Sequence, residues 1–260
     1  MYQLRLFFTA LQFFTRLPIP RWVGFEAHWL NHASRYFPLV GLVVGMIAAA
    51  VYAAAAWLFP APVAVVLSTA AGIYATGAFH EDGFADMCDG FGGGMTAERV
   101  LEIMKDSRIG AYGAIGMICM LGTKCVTLAL LPPLTTIAAL LAVHPLSRLM
   151  ATALIWRMDY ARTEGKAKPL AQKMSSGEFA IAAVTAAAPA IVLCAIGWTK
   201  WTALAVGVIA AGAATVWLAR LFARRIHGYT GDCLGAVQQA SEVVLYLTTL
   251  AYLQHGVLPA

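Results

Sequence analysis

Long apolar stretches constrain the fold of this chain more than any motif does. Each reaches or approaches the roughly 20 residues that a helix needs to cross a bilayer, and they lie at about 37–59, 62–79, 109–131, 134–156, 179–198, 201–219 and 242–258. Only 12% of the residues are charged, against about 25% in a soluble domain. The sequence therefore predicts an all-α fold, a polytopic membrane helix bundle of about seven transmembrane helices in a single domain, 1–260.

The other segments are polar or amphipathic. Short turns join some of the apolar stretches, and the others are joined by three long polar segments at 80–108, 157–178 and 220–241. Within these we expect short amphipathic helices at the membrane surface. A further amphipathic helix is predicted at 2–17, from the helical spacing of Leu4, Phe7, Phe8, Leu11 and Phe14 between Arg5 and Arg16. It either lies at the interface or packs against the bundle.

Basic residues are concentrated in alternate connections, and this predicts an orientation. They occur before the first apolar stretch and in the three long polar segments, whereas the remaining connections carry little more than Lys200. Cytoplasmic loops of membrane proteins carry an excess of Lys and Arg. We expect a multi-pass protein with a cytoplasmic N-terminus and with the long segments on that same side, including Arg157, Arg162, Lys166, Lys168 and Lys173 of the second segment.

Several classes of protein are disfavoured. The net charge is +5, but the basic residues follow the topology and form no basic domain outside the membrane, so we expect no nucleic-acid partner. The five cysteines are scattered without a CxxC pair, which argues against a disulfide framework and against a zinc site. The chain has neither a P-loop motif nor a nucleophile elbow, which excludes a P-loop NTPase and a serine hydrolase of the nucleophile-elbow type.

The acidic segment HEDGFADMCDGFGGG, residues 80–94, follows the second apolar stretch. Asp82, Asp86 and Asp89 are spaced i, i+4, i+7, so they share one face if that stretch continues as a helix past His80. Like charges at this spacing destabilise a helix, and a bound cation removes the cost. Carboxylate oxygens suit Mg²⁺, which commonly binds through one or two carboxylates and substrate phosphates. We predict a Mg²⁺ site here in preference to a solvated acidic loop.

A second polar motif, RVLEIMKDSRIGAYG, occupies residues 99–113. Arg108 has the planar guanidinium that binds phosphate oxygens in a bidentate manner. Asp106 is a candidate for a further metal ligand, for a base, or for an ion-pair partner of Lys105 or Arg108. The residues alone leave these roles open.

Ionisable residues also occur inside predicted spans. Lys124 lies in the third apolar stretch, and His144 and Arg148 share one helical face in the fourth. Such residues are costly in hydrocarbon and are therefore functional candidates. They would line a cavity for an anionic substrate. The alternatives are snorkelling or pairing with the acidic segment for Lys124, and a hydrogen-bonded kink residue before Pro145 for His144.

The last polar motif, HGYTGDCLGAVQQASE at 227–242, contributes Asp232 and Glu242 beside several glycines. Either it is a turn in which Asp232 caps the following helix, or its two acids complete a second cation site. Together, the acids, a bound metal and the nearby cations favour phosphoryl transfer, since metal ions neutralise phosphates and cationic side chains hold their oxygens.

Five segments, in the same order along the chain, resemble a known family. They are FFTRLPIP at 13–20, YFPLVGLVVG at 36–45, HEDGFADMCDGFGGG at 80–94, LEIMKDSRIGAYG at 101–113 and GDCLGA…SE at 231–242. The family is the cobalamin synthases, or adenosylcobinamide-GDP ribazoletransferases, and the resemblance covers nearly the whole chain. It implies a Mg²⁺-dependent transferase of the bacterial inner membrane. The implied reaction joins adenosylcobinamide-GDP to a ribose hydroxyl of α-ribazole, or of its 5′-phosphate, and releases GMP.

The resemblance also implies roles for individual residues. The acidic signature is matched by His80, Asp82, Asp86 and Asp89, the second signature by Asp106 and Arg108, and the third by Asp232 and Glu242. Glu81 stands where many members have an apolar residue, so it is a secondary candidate, as is His144.

The roles follow from these matches together with the intramembrane cations. Asp82, Asp86 and Asp89 would hold Mg²⁺, and Asp106 or His80 would take the hydroxyl proton. Arg108, with Lys124 or Arg148, would stabilise charge on the transferring phosphate. Asp232 and Glu242 join Lys124 and Arg148 as candidates for substrate binding.

Two other functions are alternatives. CDP-alcohol phosphotransferases also use Asp-rich helices in a membrane bundle, although DGFAD at 82–86 matches only part of their motif. A cation transporter requires acids buried at mid-membrane along several spans, whereas here we expect the acids at the cytoplasmic ends. The lipid bilayer is the expected environment, and the sequence is compatible with an oligomer.

Overall fold

The computed structural model describes residues 1–26, 28–161 and 173–255. In these ranges the chain is a helical bundle, which confirms the predicted fold class. Its helices are α1 (Tyr2–Phe14), α2 (Trp29–Ala33), α3 (Phe37–Ala55), α4 (Ala61–Thr76), α5 (Phe79–Gly93), α6 (Ala97–Ile103), α7 (Ala111–Leu130), α8 (Pro133–Arg157), α9 (Ser176–Ala195), α10 (Trp201–Ile226) and α11 (Gly231–Gln254). Short 3₁₀ turns at Arg21–Val23 and Ser34–Tyr36 precede α2 and α3.

The number of membrane-spanning helices differs from the predicted number of about seven. Among the described residues, five helical segments are long and apolar enough to cross a membrane, or six if the bent pair α4 and α5 forms one span. The predicted stretch 242–258 is the second half of α11, up to the last described residue, 255. The first half of α11 carries Gln238, Gln239 and Glu242, and these polar residues lower its mean hydropathy.

Helix α8 lies at the centre of the bundle. It packs against α3, α9 and α11, and α11 packs in turn against α5 and α10. Apolar side chains of α8 such as Leu140 and Leu154 are buried, but so are its polar residues Ser147 and Thr152. Because neighbours surround α8, its polar side chains must find partners inside the protein.

Helix α1 packs its apolar face against the bundle, which confirms one of the two positions predicted for it. Leu6, Ala10, Leu11 and Phe14 are buried, and α1 contacts both α2 and α3. Leu4, in the first turn of the helix, is exposed. The aromatic end of α1 therefore contributes to the interior of the bundle.

The prediction that the second span continues as a helix past His80 is wrong. Helix α4 ends at Thr76, because Gly77 and Ala78 have φ values of +64° and +60°, which break the right-handed helix. Helix α5 then leaves at 90° to α4. The acids still lie on a helix, as their spacing predicts, but this helix crosses the end of the bundle.

The long polar segments meet at that end. Arg225, in the last turn of α10, donates to the backbone oxygen of Gly94 after α5 at 2.5 Å. Arg35, before α3, forms an ion pair with Glu178 in the first turn of α9. The segments predicted to share one side of the membrane thus lie together in the fold, whereas Arg162, Lys166 and Lys168 lie outside the described residues.

These polar segments contain helices, as expected, but the long helices α10 and α11 also extend into the third of them. The first segment includes α5 and α6. In the third, α10 extends to Ile226 and α11 begins at Gly231. Buried polar residues at the start of α11 account for this difference, because hydropathy treats them as solvent-exposed.

Candidate active site

Helix α5 divides the candidate residues into two sets. Its first turn carries His80 and Glu81, which are both buried in the bundle. Asp82 is exposed and Asp86 is half-buried. The difference follows from the helical spacing, since neighbouring residues on a helix face different directions.

Asp89 caps the next membrane helix. One of its carboxylate oxygens accepts from the backbone N–H of Gly110 at 2.7 Å and the other from that of Gly113 at 2.8 Å. These N–H groups lie at the start of α7, where the helix dipole also favours a negative charge. Asp89 is therefore engaged in holding α5 against α7.

The fit to a metal ion rests on Asp82 and Asp86. They lie one turn apart on α5, where Asp82 is exposed and Asp86 is half-buried. No group of three or more His, Cys, Asp or Glu side chains is arranged to hold a metal within the ranges that the structure describes. Because Mg²⁺ commonly binds through one or two carboxylates and substrate phosphates, two aspartates suit Mg²⁺ that arrives with a pyrophosphate. Asp89, the third predicted ligand, binds backbone N–H groups of α7 instead.

Asp106 and Arg108 form an ion pair with each other. Arg108 Nη2 lies 2.7 Å from Asp106 Oδ2, and Arg108 Nε donates to Asp106 Oδ1 at 3.0 Å. The hydrogen bond from Arg108 lowers the pKa of the Asp106 carboxyl to about 2, and the carboxylate in turn raises the pKa of Arg108. A carboxylate with so low a pKa is a weak proton acceptor at neutral pH.

This pair lies on the outer surface and not beside His80. Asp106 and Arg108 line an open cavity of about 1,220 Å³ together with Asp89 and Tyr112. His80 and Asp89 are nine residues apart on α5, a rise of about 13 Å. The structure therefore does not bring the three predicted catalytic residues to one place.

The intramembrane residues, by contrast, form an interior cluster between α5, α7, α8 and α11. It consists of His80, Glu81, Lys124, His144, Arg148, Gln238, Gln239 and Glu242, which line a cavity of about 360 Å³. Lys124 Nζ lies 2.5 Å from Glu242 Oε1, and His144 Nδ1 lies 3.6 Å from Glu242 Oε2. Lys124 thus pairs with an acid, as one alternative predicts, but that acid belongs to α11 and not to the acidic segment.

Two charged groups in the interior cluster remain incompletely paired. Glu81 Oε1 accepts from Gln239 Nε2 at 2.8 Å, while Glu81 Oε2 has no hydrogen-bond partner among the described residues. Arg148 Nη1 donates to the backbone oxygen of His144 at 3.1 Å, while its Nε has no such partner there. Buried polar atoms are normally hydrogen-bonded, so these atoms indicate room for a polar ligand or water.

This arrangement changes two expectations about acids. Glu81, a secondary candidate by sequence, is 7% exposed and belongs to the interior cluster. Glu242 is fully buried, so not all the acids lie outside the bundle.

Asp232 and Glu242 do not share a cation site. They are ten residues apart on α11, which separates them by about 15 Å along the helix. Asp232 does not cap α11 either, because the cap is Thr230, whose hydroxyl accepts from the backbone N–H of Cys233. Thr230 also donates to the Asp232 carboxylate at 3.2 Å.

Gln238 and Gln239 belong to the interior cluster but are not among the site residues predicted from the sequence. Gln238 Nε2 contacts Glu242 Oε2 at 2.5 Å and Ser147 Oγ at 3.2 Å, and Gln239 holds Glu81. Both side chains are at most 2% exposed. A signal was present, because Gln238 and Glu242 are spaced i, i+4, but the segment was interpreted as a loop.

Comparison with known proteins identifies the family. A family model described as cobalamin-5-phosphate synthase matches residues 6–250. A protein of Shewanella frigidimarina is 46% identical over 96% of this chain and 95% of its own length. Relatives from Leptothrix cholodnii and Vibrio cholerae are 46% and 44% identical, over 96% and 99% of this chain and 96% and 97% of their own lengths. All three are named adenosylcobinamide-GDP ribazoletransferase.

No solved structure matches the chain, so the assignment rests on sequence similarity over the full length. The chain belongs to the cobalamin-5-phosphate synthase family and is a transferase of cobalamin biosynthesis.

Proposed function

We propose that this protein is an adenosylcobinamide-GDP ribazoletransferase. It joins adenosylcobinamide-GDP to α-ribazole or α-ribazole 5′-phosphate, giving adenosylcobalamin or its 5′-phosphate and GMP. The observation that carries the proposal is the similarity, over at least 95% of this chain, to relatives with that name. In the reaction, a ribose hydroxyl oxygen bonds to the phosphorus on the cobinamide side, and the bond from that phosphorus to GMP breaks.

His80 is the proposed acceptor of the hydroxyl proton. Its ring stacks on Phe14 with centroids 5.4 Å apart, and it lines both the interior cavity and a neighbouring aromatic one. A group at the boundary of two cavities can contact a nucleoside in one and a phosphate in the other. Asp106 is less suited, because its ion pair with Arg108 lowers its pKa to about 2.

Arg148 is the proposed partner of the transferring phosphoryl group. Its guanidinium is buried, and its Nε has no partner among the described residues. Lys124 is already bound to Glu242, so we assign it to the support of the site. Preorganised cations in a water-poor cavity stabilise the charge that develops on a phosphoryl group.

Mg²⁺ is proposed to be held by Asp82 and Asp86 with the pyrophosphate of adenosylcobinamide-GDP. When bound, the ion neutralises phosphate charge and orients the displacement. The support is the pair of carboxylates one turn apart on α5, the helix whose first turn carries His80. Asp89 supports the same helix through α7.

We further propose that the protein lies in the bacterial inner membrane, with its N-terminus and α5 on the cytoplasmic side. This orientation rests on the distribution of Lys and Arg, which are concentrated in the polar segments at one end of the bundle. At that end, Arg225 contacts Gly94.

Purified protein incubated with adenosylcobinamide-GDP, α-ribazole and Mg²⁺ tests the activity. We expect GMP release together with cobalamin formation, and both products should be lost in His80→Gln and Arg148→Met.

The buried Glu81 and Glu242 make cation transport the second candidate. Absence of both products, with cation uptake into liposomes containing the protein, would overturn the proposal in favour of transport. Release of CMP from a CDP-alcohol would favour the phosphotransferase alternative.

A further inference from the structure

An aromatic cavity adjoins the interior cluster at the end of the bundle where α5 lies. It encloses about 590 Å³ of space between atoms, part of which is open to solvent. The ends of α1, α3 and α5 meet the second half of α8 and the first half of α11 there. Its walls include Phe13, Phe14, Phe37, Phe79 and Tyr229.

The aromatic side chains pack against one another. The ring of Phe14 lies 4.5 Å from that of Phe37 and 5.3 Å from that of Phe79, in both cases edge to face. The ring of His80 stacks on Phe14 at an angle of 16°. Such mutual packing restricts side-chain rotation, so the walls are formed before any ligand binds.

One end of the cavity is polar and incompletely paired. Arg148 and Gln238 line both this cavity and the interior one, and they are 3% and 1% exposed. Within the described part of the chain, Arg148 Nε and Gln238 Oε1 have no hydrogen-bond partner. The cavity therefore combines apolar aromatic walls with one donor and one acceptor, which belong to almost fully buried side chains.

We propose that the aromatic cavity binds the nucleoside substrate, with its apolar aromatic base against the phenylalanine walls. A sugar hydroxyl then contacts Gln238 Oε1, next to His80 and Arg148. This inference rests on the proposed function, and it adds that the cavity selects the base. A flat, apolar bicyclic base suits aromatic walls because stacking and apolar burial need no hydrogen bonds.

The other substrate fits this cavity less well. The edge of a guanine carries several donors and acceptors, and the aromatic walls would leave them unpaired, at a cost. A corrin macrocycle with its side chains exceeds the cavity volume. A lipid chain would fill the apolar part but would leave Arg148 Nε and Gln238 Oε1 unpaired.

Reducing the cavity tests the proposal. Ala151 is 8% exposed and lines the aromatic cavity, so Ala151→Leu fills space that a base would occupy. Ala153, on the same helix but outside the cavity lining, is the matched control as Ala153→Leu. Phe79→Leu is a second variant that removes one wall at a 37% exposed position, with Phe91→Leu as its control. Phe79→Leu provides the test if Ala151→Leu fails to fold.

The measurements are the KM values of the full-length enzyme in detergent for each substrate. We expect Ala151→Leu and Phe79→Leu to raise the KM for α-ribazole at least about tenfold, with less than about a twofold change in the KM for adenosylcobinamide-GDP. Ala153→Leu and Phe91→Leu should leave both values unchanged. With the wild type, a riboside carrying the polar base adenine should give a KM at least about tenfold higher than α-ribazole.

Two results would overturn the inference while leaving the proposed function intact. In the first, Ala151→Leu and Phe79→Leu release GMP with the same KM for α-ribazole as the wild type. The other is a rise in the KM for adenosylcobinamide-GDP alone. If the wild type releases no GMP, calorimetric titration with α-ribazole separates the two proposals. If the wild type binds α-ribazole and Ala151→Leu abolishes this binding, the result supports the cavity proposal without the proposed reaction. If the wild type does not bind α-ribazole, both proposals are overturned.

Discussion

At the residue scale, Asp82 and Asp89 share a helix face but have different surroundings. Asp82 is exposed, whereas both oxygens of Asp89 accept backbone N–H groups of α7. Residues at equivalent positions of the sequence pattern therefore contribute differently to the stability of the fold. Asp89 contributes to stability, and Asp82 is available to a metal and its phosphate.

A pair of substitutions distinguishes these roles. Asp89→Ala removes the α7 cap and should lower the free energy of unfolding by about 0.5–2 kcal/mol, while Asp82→Ala should change it by less than about 0.5 kcal/mol. We expect Asp82→Ala to raise the Mg²⁺ concentration needed for GMP release, and Asp89→Ala to leave that concentration unchanged. Thermal unfolding in detergent and a Mg²⁺ titration measure the two effects. The opposite assignment of effects would contradict the division of roles.

Asp106 allows a prediction of pH dependence. Its folded pKa of about 2 lies below the ordinary value of about 4, so its ion pair with Arg108 favours the folded state above pH 4. That contribution is lost as the pH falls through about 2. In Arg108→Gln, the Asp106 pKa should rise towards 4, as measured by ¹³C NMR of the carboxyl group. Arg99→Gln is the control, and an unchanged Asp106 pKa in Arg108→Gln would contradict the pairing.

The ion pair between Lys124 and Glu242 should show strong coupling. Lys124 and Glu242 are both buried, so Lys124→Met alone leaves the Glu242 carboxylate in the bundle without its ammonium counter-ion and should cost about 3–5 kcal/mol. Adding Glu242→Gln should recover part of this loss. A double-mutant cycle by chemical unfolding measures the coupling. The exposed pair Arg99 and Glu102 is the control and should couple far more weakly; equal coupling in the two pairs would contradict the burial.

At the element scale, the crossing of α5 and α11 depends on glycine. A Cβ on Gly83 would lie 2.9 Å from Cα of Asp232, whereas nothing lies within 4 Å of one on Gly122 in α7. Gly83→Ala must push the helices apart and should cost about 1–3 kcal/mol. Gly122→Ala should leave stability unchanged or raise it by up to about 1 kcal/mol. Thermal unfolding of the two variants compares them, and equal midpoints would contradict the close crossing.

Hydropathy predicted most helices of the bundle, but not the bend before α5. Gly77 is a recognisable breaker, yet Ala78 adopts φ +60° without any sequence signal. Only the packing of α5 against α7 and α11 determines that angle. The start of α11 was missed for a related reason, because a side chain such as Gln238 looks solvent-exposed until its buried partners are known.

Part of the candidate site was also predictable. The cost of charge in a membrane indicated a cavity lined by Lys124, His144 and Arg148, and the structure places all three in one interior cluster. The sequence could not show that Glu81 joins them or that Asp106 lies on the outer surface. Both depend on the direction that α5 takes after Gly77.

At the scale of the whole molecule, the arrangement of the helices predicts accessibility from the two sides of the membrane. Lys105 follows α6 at the end where the polar segments meet, and Lys200 precedes α10 at the other end. Both are exposed. In a variant with the five native cysteines replaced, Lys200→Cys should react with an impermeant maleimide in spheroplasts. Lys105→Cys should react only after permeabilisation, and the reverse pattern would contradict a cytoplasmic N-terminus.

The pairing of Lys124 with Glu242 has a consequence for how the protein is made. Lys124 lies in α7, and its partner lies in α11, the last helix in the described chain. Chains emerge from the ribosome from the N-terminus onwards at about 5–20 residues per second, so α7 enters the membrane seconds before its counter-ion exists. During that interval a lone ammonium at mid-helix costs about 2.5–3.5 kcal/mol on insertion scales. The nascent protein must carry this charge until the ribosome delivers α11, which makes the final helix the one that completes assembly.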